Sequence, residues 1–442
     1  MAKSWLQCIK CGNKQDLYRT RKFECSCGGL YDVIHDFSSL KKKGVIKCKQ
    51  LFDNRCQPGP EVRHNSGVWR FHELVMPSLS PNEIVSLGEG VLPFWPAGKN
   101  LRQWVGGNLD LWIMPEGLTP TGSFKDFGGT VAFSVAKKAG IKTIACASTG
   151  DTSAMAAAYA AAAGIRCAVY LPKGQVTGIQ VDQLRAYGAK VVMIPGSFDD
   201  CMRIVRQLAL AERIFPINSI NPTRIEGHQA SVFLAAQFFN WSLPDAFVVP
   251  VGNGSNSSSI GKGMRVLYDL GLVKNRAKLI GVQSEAANPL AKSWEAFRQA
   301  SPRHNQTPTI EEWQEIYLPV KKLGKTTATA ARIGDPVSKL KVMREITQSN
   351  GEVLTASEAE LNEAVMVATR DGHFVCPQTG TALAGLRQAV KRGFIKKGQR
   401  VIVIGTATGL KFSKVPQKYA DPALIIEATS CDVEKAAKLI GV

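Results

Sequence analysis

From about Asp110 onward, short β-branched or apolar runs alternate with segments of helical length, and nothing else in the chain restricts its fold so strongly. Lys142–Ala147, Cys167–Leu171, Lys190–Ile194, Asp245–Val251, Lys278–Val282 and Arg400–Ile404 are predicted strands. Between and around them, Asp126–Ala139, Thr152–Ala163, Val176–Tyr187, Phe198–Arg213, Ile225–Asn240, Ser257–Leu270 and Thr379–Arg392 are predicted helices. Strands separated by helical crossovers cannot pair as hairpins, so the pattern predicts an α/β protein with parallel, doubly wound sheets. No internal repeat is visible. Residues Ser301 to Gly334, interrupted by Pro302, Pro308 and Pro319, read as a loop-rich insertion. A length of 442 residues is compatible with two or three domains.

The first 56 residues follow a different logic, since they hold six of the 11 cysteines. Cys8-x-x-Cys11 and Cys25-x-Cys27 are close pairs, the second followed by two glycines. Tight Gly-containing turns aim paired thiolates at one point, the arrangement of a tetrahedral zinc site. A module of roughly 40 residues has too little core to fold unaided, and a structural metal would supply the missing stability. Structural zinc on Cys8, Cys11, Cys25 and Cys27 is therefore the expectation; reduced free thiols and a redox pair are the alternatives. Cys48 and Cys56 lie too far apart in sequence to form such a turn and read as ordinary thiols.

Charge and hydropathy exclude further classes. The formal net charge is +19, which calls for anionic company: nucleic acid, a membrane surface or small phosphorylated molecules. The Lys41-Lys42-Lys43 run is read as a solvated face. The long Lys- and Arg-free stretch from Thr143 to Ile165 contains Asp151 and is mostly Ala, which is unsuited to a membrane span. Met1 to Cys8 has no apolar core of signal-peptide length, and an odd cysteine count argues against a disulfide framework. A cytoplasmic protein is expected.

Four strand-to-helix junctions are richer in Gly, Ser, Thr and Asn than a plain loop requires. Pro120 to Asp126 places Lys125 at a helix start, where the helix dipole lowers an amine's pKa and leaves it nucleophilic. Taken alone, a surface lysine in a capping turn is the simpler reading. Ala147 to Ser153 leads into an Ala-rich helix whose first N–H groups suit an anion. Val249 to Ser259 carries Gly252-Asn253-Gly254-Ser255-Asn256, small residues that let a backbone close around a phosphate. It lacks the Gly-Lys-Ser/Thr ending of a P-loop. Gly405 to Lys411 follows the last strand.

Together these segments resemble the fold-type II pyridoxal-phosphate enzymes and, within them, the threonine synthases. Thr119-Pro-Thr-Gly-Ser-Phe-Lys-Asp126 is similar to the family's cofactor-lysine motif, and Ala147-Ser-Thr-Gly-Asp-Thr-Ser-Ala154 to its substrate and cofactor loop. Asn218-Ser-Ile-Asn-Pro-Thr-Arg-Ile-Glu-Gly227, Cys376-Pro-Gln-Thr-Gly-Thr-Ala382 and Thr406-Ala-Thr-Gly-Leu-Lys411 resemble further motifs in the same order. Gly28 to Val33 and Ser66 to Trp69 look like the plant-type branch, as does Gly150-Asp151 where other members have Gly-Asn. The resemblance spans about Gly28 to Phe412.

The resemblance implies a role for each matching residue. Lys125 would carry pyridoxal 5'-phosphate as a Schiff base and later shuttle protons. Gly252, Asn253, Gly254, Ser255 and Asn256 would bind the cofactor phosphate, although the family's usual Gly-Asn-x-Gly-Asn reads Gly-Asn-Gly-Ser-Asn here. Thr406 would face the pyridine nitrogen, and Asp151 the phenolic oxygen, which a carboxylate should repel. Thr152, Asn218, Ser219 and Arg224 would bind the phosphate of O-phosphohomoserine, a role for which Arg's planar fork is suited. His228, one turn beyond Arg224, lines the site or serves as a polar core residue.

The implied activity is conversion of O-phospho-L-homoserine and water to L-threonine and phosphate. The implied assembly is a homodimer, with neither nucleic acid nor membrane as partner. The implied layout has a zinc-ribbon-like module at 1–40, a large cofactor-binding α/β domain from 41–125 and 232–430, a small α/β domain at 126–231 and a tail at 431–442. Three alternatives stay open: another fold-type II lyase or replacement enzyme, such as a threonine dehydratase or cysteate synthase; a zinc-ribbon nucleic-acid-binding protein; and a catalytically inactive ligand sensor on the same fold.

Overall fold

The computed structural model describes residues 3–148, 150–173, 178–196, 198–300, 308–412 and 414–420, with 425 and 439 singly. The expected tail at 431–442 lies outside the described residues except for Leu439, as do residues 301–307 of the insertion. The remainder of that insertion holds a helix, Ile310–Ile316, whose Thr309 cap accepts from the Glu312 N–H.

The chain begins with an antiparallel sheet of β1 (Ser4–Cys8), β2 (Lys14–Asp16) and β3 (Tyr31–His35), in the order β2-β1-β3. The Lys41–Lys43 run is exposed on a short helix, Ser38–Lys43, as a solvated face requires. β4 (Trp95–Pro96) and β5 (Asp110–Pro115) start a six-stranded sheet. The chain then leaves it to build four parallel strands, β6 (Thr143–Ala147), β7 (Arg166–Pro172), β8 (Lys190–Ile194) and β9 (Phe215–Pro216), ordered β8-β7-β6-β9. It returns with β10 (Ala246–Pro250), β11 (Lys278–Ser284), β12 (Glu352–Ala356) and β13 (Arg400–Gly405) to complete the order β12-β11-β10-β13-β5-β4. Only β4 runs antiparallel in that sheet.

β10 shows why the larger sheet is parallel. Every residue of Ala-Phe-Val-Val-Pro is buried, which requires cover on both faces, and helical crossovers supply it. Helices Ser255–Asp269 and Pro377–Lys391 lie against this sheet, while Lys125–Lys138 buries Asp126 through Ala136 in succession. The predicted Ile225–Asn240 helix is two, Thr223–His228 and Ala230–Phe238, joined at Gln229 by a tighter turn in which the Val232 N–H donates to the Gln229 carbonyl. Gly227 is required there: a Cβ would stand 1.8 Å from the Phe127 carbonyl oxygen, so two helices cross at backbone contact. No helix among the described residues is long and apolar enough to cross a membrane.

β3 does more than close a small sheet. Its backbone is gripped by buried lysines from distant helices: Lys341 Nζ donates to the Tyr31 carbonyl and Lys262 Nζ to the Val33 carbonyl, both at 2.6 Å. Asp32 pairs with Lys341 at 2.7 Å and Arg344 at 3.0 Å, and His35 Nε2 lies 3.1 Å from Glu226. Glu226 in turn pairs with Lys262 at 2.6 Å. The cysteine-rich segment is thus bolted to the helices that carry Arg224 and Asn256, and to a third, Lys339–Gln348.

Candidate active site

Chain segments leaving the carboxyl ends of β5, β6, β10 and β13 converge, as ligand sites in open α/β sheets require. Lys125 is the first residue of its helix. The turn before it is fixed by Asp126, whose buried carboxylate accepts from the Thr121 N–H at 2.7 Å and hydroxyl at 2.6 Å. Gly122 adopts φ +82°, which a side chain would strain. The Phe124 N–H donates to the Thr406 carbonyl at 2.9 Å, stitching the lysine turn to the residues after β13. Lys125 Nζ sits over the Phe124 ring, 3.3 Å from its centroid. Its pKa is pushed down to about 7, first by burial and then by the charge of Arg224; Lys411 adds to this, while Asp151 and Glu116 oppose it. Lys125, Arg224, Asp151 and Lys411 come from widely separated parts of the sequence and share one electrostatic neighbourhood.

The Gly252–Asn256 segment opens the helix Ser255–Asp269, and no capping side chain accepts from the first N–H groups. Gly254 has φ +84°, and a Cβ there would meet Val342 at 2.5 Å, so the glycine spacing answers to packing as well as to ligand access. The Asn253 carbonyl accepts from the Ser338 N–H (2.9 Å) and its carboxamide oxygen from the Val337 N–H (3.4 Å). Asn256 and Ser257, both buried, have no hydrogen-bond partner for any side-chain polar atom among the described residues. Bare backbone amides and unpartnered amide and hydroxyl groups make a cradle for an anion.

Thr406 is buried, its N–H accepted by the Thr379 hydroxyl at 3.2 Å and its hydroxyl 3.4 Å from Cys376 Sγ. Asn218 does not cap a helix; it locks onto Ala147, accepting from that N–H at 3.2 Å and donating to that carbonyl at 2.8 Å. This ties the β9 loop to the end of β6 beside Thr152, which lies in the first turn of the helix Asp151–Ala163. Ser219 follows Asn218, half-buried. Arg224 is fully enclosed: one guanidinium nitrogen donates to the Ile217 carbonyl at 3.2 Å, and the other two have no partner among the described residues. Burial pulls its pKa down to about 10. A buried guanidinium left two-thirds unpaired is costly, and an anion is what relieves it.

Asp151 is not left facing the site alone. Lys411 Nζ donates to its Oδ1 at 2.9 Å, an ion pair that sequence reading missed because 260 residues separate the partners. Glu116, one residue past β5, was also missed. It is fully buried with its pKa raised to about 8 by that burial, bonded to the Ser231 hydroxyl and close to Asn256. Its signal was a carboxylate in an otherwise apolar strand end. Ser123 and Gln378 likewise bring unpartnered buried polar atoms. His228 is enclosed against Gly128 and the Phe124 ring, and burial holds its pKa well below the ordinary range.

The cysteine tetrad stands apart from this cleft. The sulfur atoms of Cys8, Cys11, Cys25 and Cys27 all lie within 4.8 Å of one another, on turns where Gly12 and Gly28 take positive φ. A Cβ on Gly29 would meet Cys8 Sγ at 2.6 Å, so that glycine is what lets the sulfurs converge. Cys48 and Cys56 are unpaired.

Comparison with known proteins agrees with this geometry. Residues 85–407 match a family described as pyridoxal-phosphate dependent enzyme. A threonine synthase of Methanocaldococcus jannaschii is 35% identical over 435 residues, covering 98% of each chain. Threonine synthase 2, chloroplastic, of Arabidopsis thaliana is 36% identical over 402 residues, covering 90% of this chain and 74% of its own. Among solved structures, threonine synthase from Escherichia coli superposes with a TM-score of 0.66 at 18% identity, covering 99% of this chain and 94% of that one.

Proposed function

Since this chain belongs to the threonine synthase family of pyridoxal-phosphate-dependent enzymes, we propose that its cleft converts O-phospho-L-homoserine and water to L-threonine and phosphate. The observation that carries this reading is Arg224, a buried guanidinium with two unpartnered nitrogens beside Lys125. A phosphorylated substrate satisfies it; the hydroxyl of a dehydratase substrate does not.

The residues fit the cofactor. Lys125 offers an amine that is substantially neutral at physiological pH. The uncapped helix start at Gly252–Asn256, with the unpartnered Asn256, offers a phosphate cradle, and Thr406 offers a hydroxyl to the ring nitrogen. When bound, pyridoxal phosphate supplies a carbonyl for the amine and an electron sink for the carbon beside it.

In the proposed reaction, Arg224, Thr152, Asn218 and Ser219 hold the substrate phosphate and thereby fix the carbon chain. The Lys125 amine, free once the substrate amine has taken its place, removes the proton at Cα. A Cβ proton is lost next, phosphate departs from Cγ toward Arg224, a proton is taken up at Cγ to make the methyl group, water adds its hydroxyl at Cβ, and Lys125 returns the Cα proton. Lys125 suits both directions because a pKa of about 7 lets it accept and donate near neutrality.

The division into a 1–40 module, a large unit of 41–125 and 232–430 and a small unit of 126–231 is part of the same proposal, supported by one sheet in each. So is zinc on the cysteine tetrad, supported by four converging sulfurs. Ten unpaired cysteines among the described residues support a cytoplasmic setting, and exposed Leu118 and Leu410 offer apolar surface to the second copy of the proposed homodimer.

The decisive assay measures phosphate and threonine released from O-phosphohomoserine by the purified, cofactor-loaded chain. Both products, lost together in Lys125→Ala, are expected. A chain that leaves O-phosphohomoserine untouched while converting threonine to 2-oxobutanoate overturns the reading. Metal analysis of the same sample is expected to give one zinc per chain; none rejects the zinc site.

A further inference from the structure

We propose that Lys411 is a second cation for the substrate phosphate, held in position by Asp151. The inference rests on O-phosphohomoserine being the substrate of the cleft. A phosphate monoester is close to dianionic at neutral pH. Arg224 supplies one positive charge, and Thr152, Asn218 and Ser219 supply none. The cofactor's own phosphate would be met by helix N–H groups and uncharged side chains, so no cation would be shared from that side.

Lys411 is the cation placed to complete the balance. It is largely enclosed, its stem crossing Gly122 so closely that a Cβ there would meet Cε at 3.0 Å. Its ammonium is anchored at 2.9 Å on Asp151, the residue immediately before Thr152 in the first turn of the Asp151–Ala163 helix. That places it beside the predicted phosphate ligands, within electrostatic reach of the same Lys125 that senses Arg224. An ammonium has three donors, and Lys411 uses one among the described residues, leaving two for phosphate oxygens without releasing Asp151.

The pair also accounts for a carboxylate at position 151. With Lys411 on it, Asp151 would present a neutralised group toward the cofactor's phenolic oxygen, and the repulsion expected from sequence would be removed. The pair joins the two large sheets as well, since Asp151 lies after β6 and Lys411 after β13. Substrate phosphate would therefore draw on groups from both sides of the cleft.

The test uses the cofactor-loaded full chain and two readouts, calorimetric titration with inorganic phosphate and the initial rate with O-phosphohomoserine. Lys411→Met is expected to weaken phosphate binding at least about tenfold, the loss of one charge-assisted hydrogen bond, and to raise KM more than it lowers kcat. Lys411→Arg is expected to restore both within about threefold, since a guanidinium can bridge carboxylate and phosphate. If Lys411→Met loses thermal stability but binds phosphate as the parent does, the pair is only a clasp and the proposal fails while the enzymatic reading stands. If the parent chain binds no phosphate and turns over no O-phosphohomoserine, both fail together.

Discussion

Two sets of buried polar groups lie within a few residues of each other and are built on opposite rules. Along β3, Asp32, His35, Glu226, Lys262, Lys341 and Arg344 are all paired, mostly twice. In the cleft, Arg224, Asn256, Ser257, Ser123 and Gln378 keep side-chain atoms with no partner among the described residues. Glu226 and Arg224 sit two residues apart on one six-residue helix, so burial alone does not separate them. What separates them is completeness. A satisfied buried charge holds chain segments together, and an unsatisfied one is fitted to a ligand.

Substitutions can set the two groups against each other. Arg224→Met carries the largest effect: it is expected to cost substrate affinity about a hundredfold, as expected for losing a bidentate contact to phosphate, yet leave folding stability unchanged or higher. A variant that unfolds instead would place Arg224 with the β3 set. Glu226→Ala should do the reverse, leaving Lys262 buried and unpaired at a cost of about 3–5 kcal/mol, read as a lowered denaturation midpoint. The double variant Glu226→Leu with Lys262→Met should lose less than the single change, because no charge is stranded.

The third test concerns pH. Lys125 is depressed to about 7, so its reactive neutral form is present above that pH and is lost as pH falls through it. The rate at which the cofactor-free chain takes up pyridoxal phosphate, monitored by visible absorption, should fall about tenfold per unit below pH 6 and level off above 8. A rate still climbing steeply at pH 9 would mean an ordinary lysine. The smallest effect is electrostatic steering by the +19 charge: kcat/KM should fall a few-fold between low and high salt.

Much of this was legible in the residues alone, and the reasons are local. The alternation of runs predicts the helix at Lys125–Lys138 to within one residue at each end, because strand and helix periods are written in neighbouring residues. Lys125, the Gly252–Asn256 segment and the cysteine tetrad are likewise visible as compact motifs. The Asp151–Lys411 pair, the Asn218 clasp on Ala147 and the β3 seam are not, because each depends on residues brought together only by the crossing of two sheets. Glu116 leaves only a faint signal, a carboxylate ending an apolar run, because a lone acid says nothing of its burial until its neighbours are known.

Synthesis runs against the β3 seam. That strand leaves the ribosome long before Lys341, which grips the Tyr31 carbonyl and comes 310 residues later. At about 5–20 residues per second, that interval is roughly 15–60 s. Glu226 and Lys262 arrive partway through it, but until Lys341 follows the strand is held incompletely, and the cysteine tetrad waits beside it for the rest of the chain.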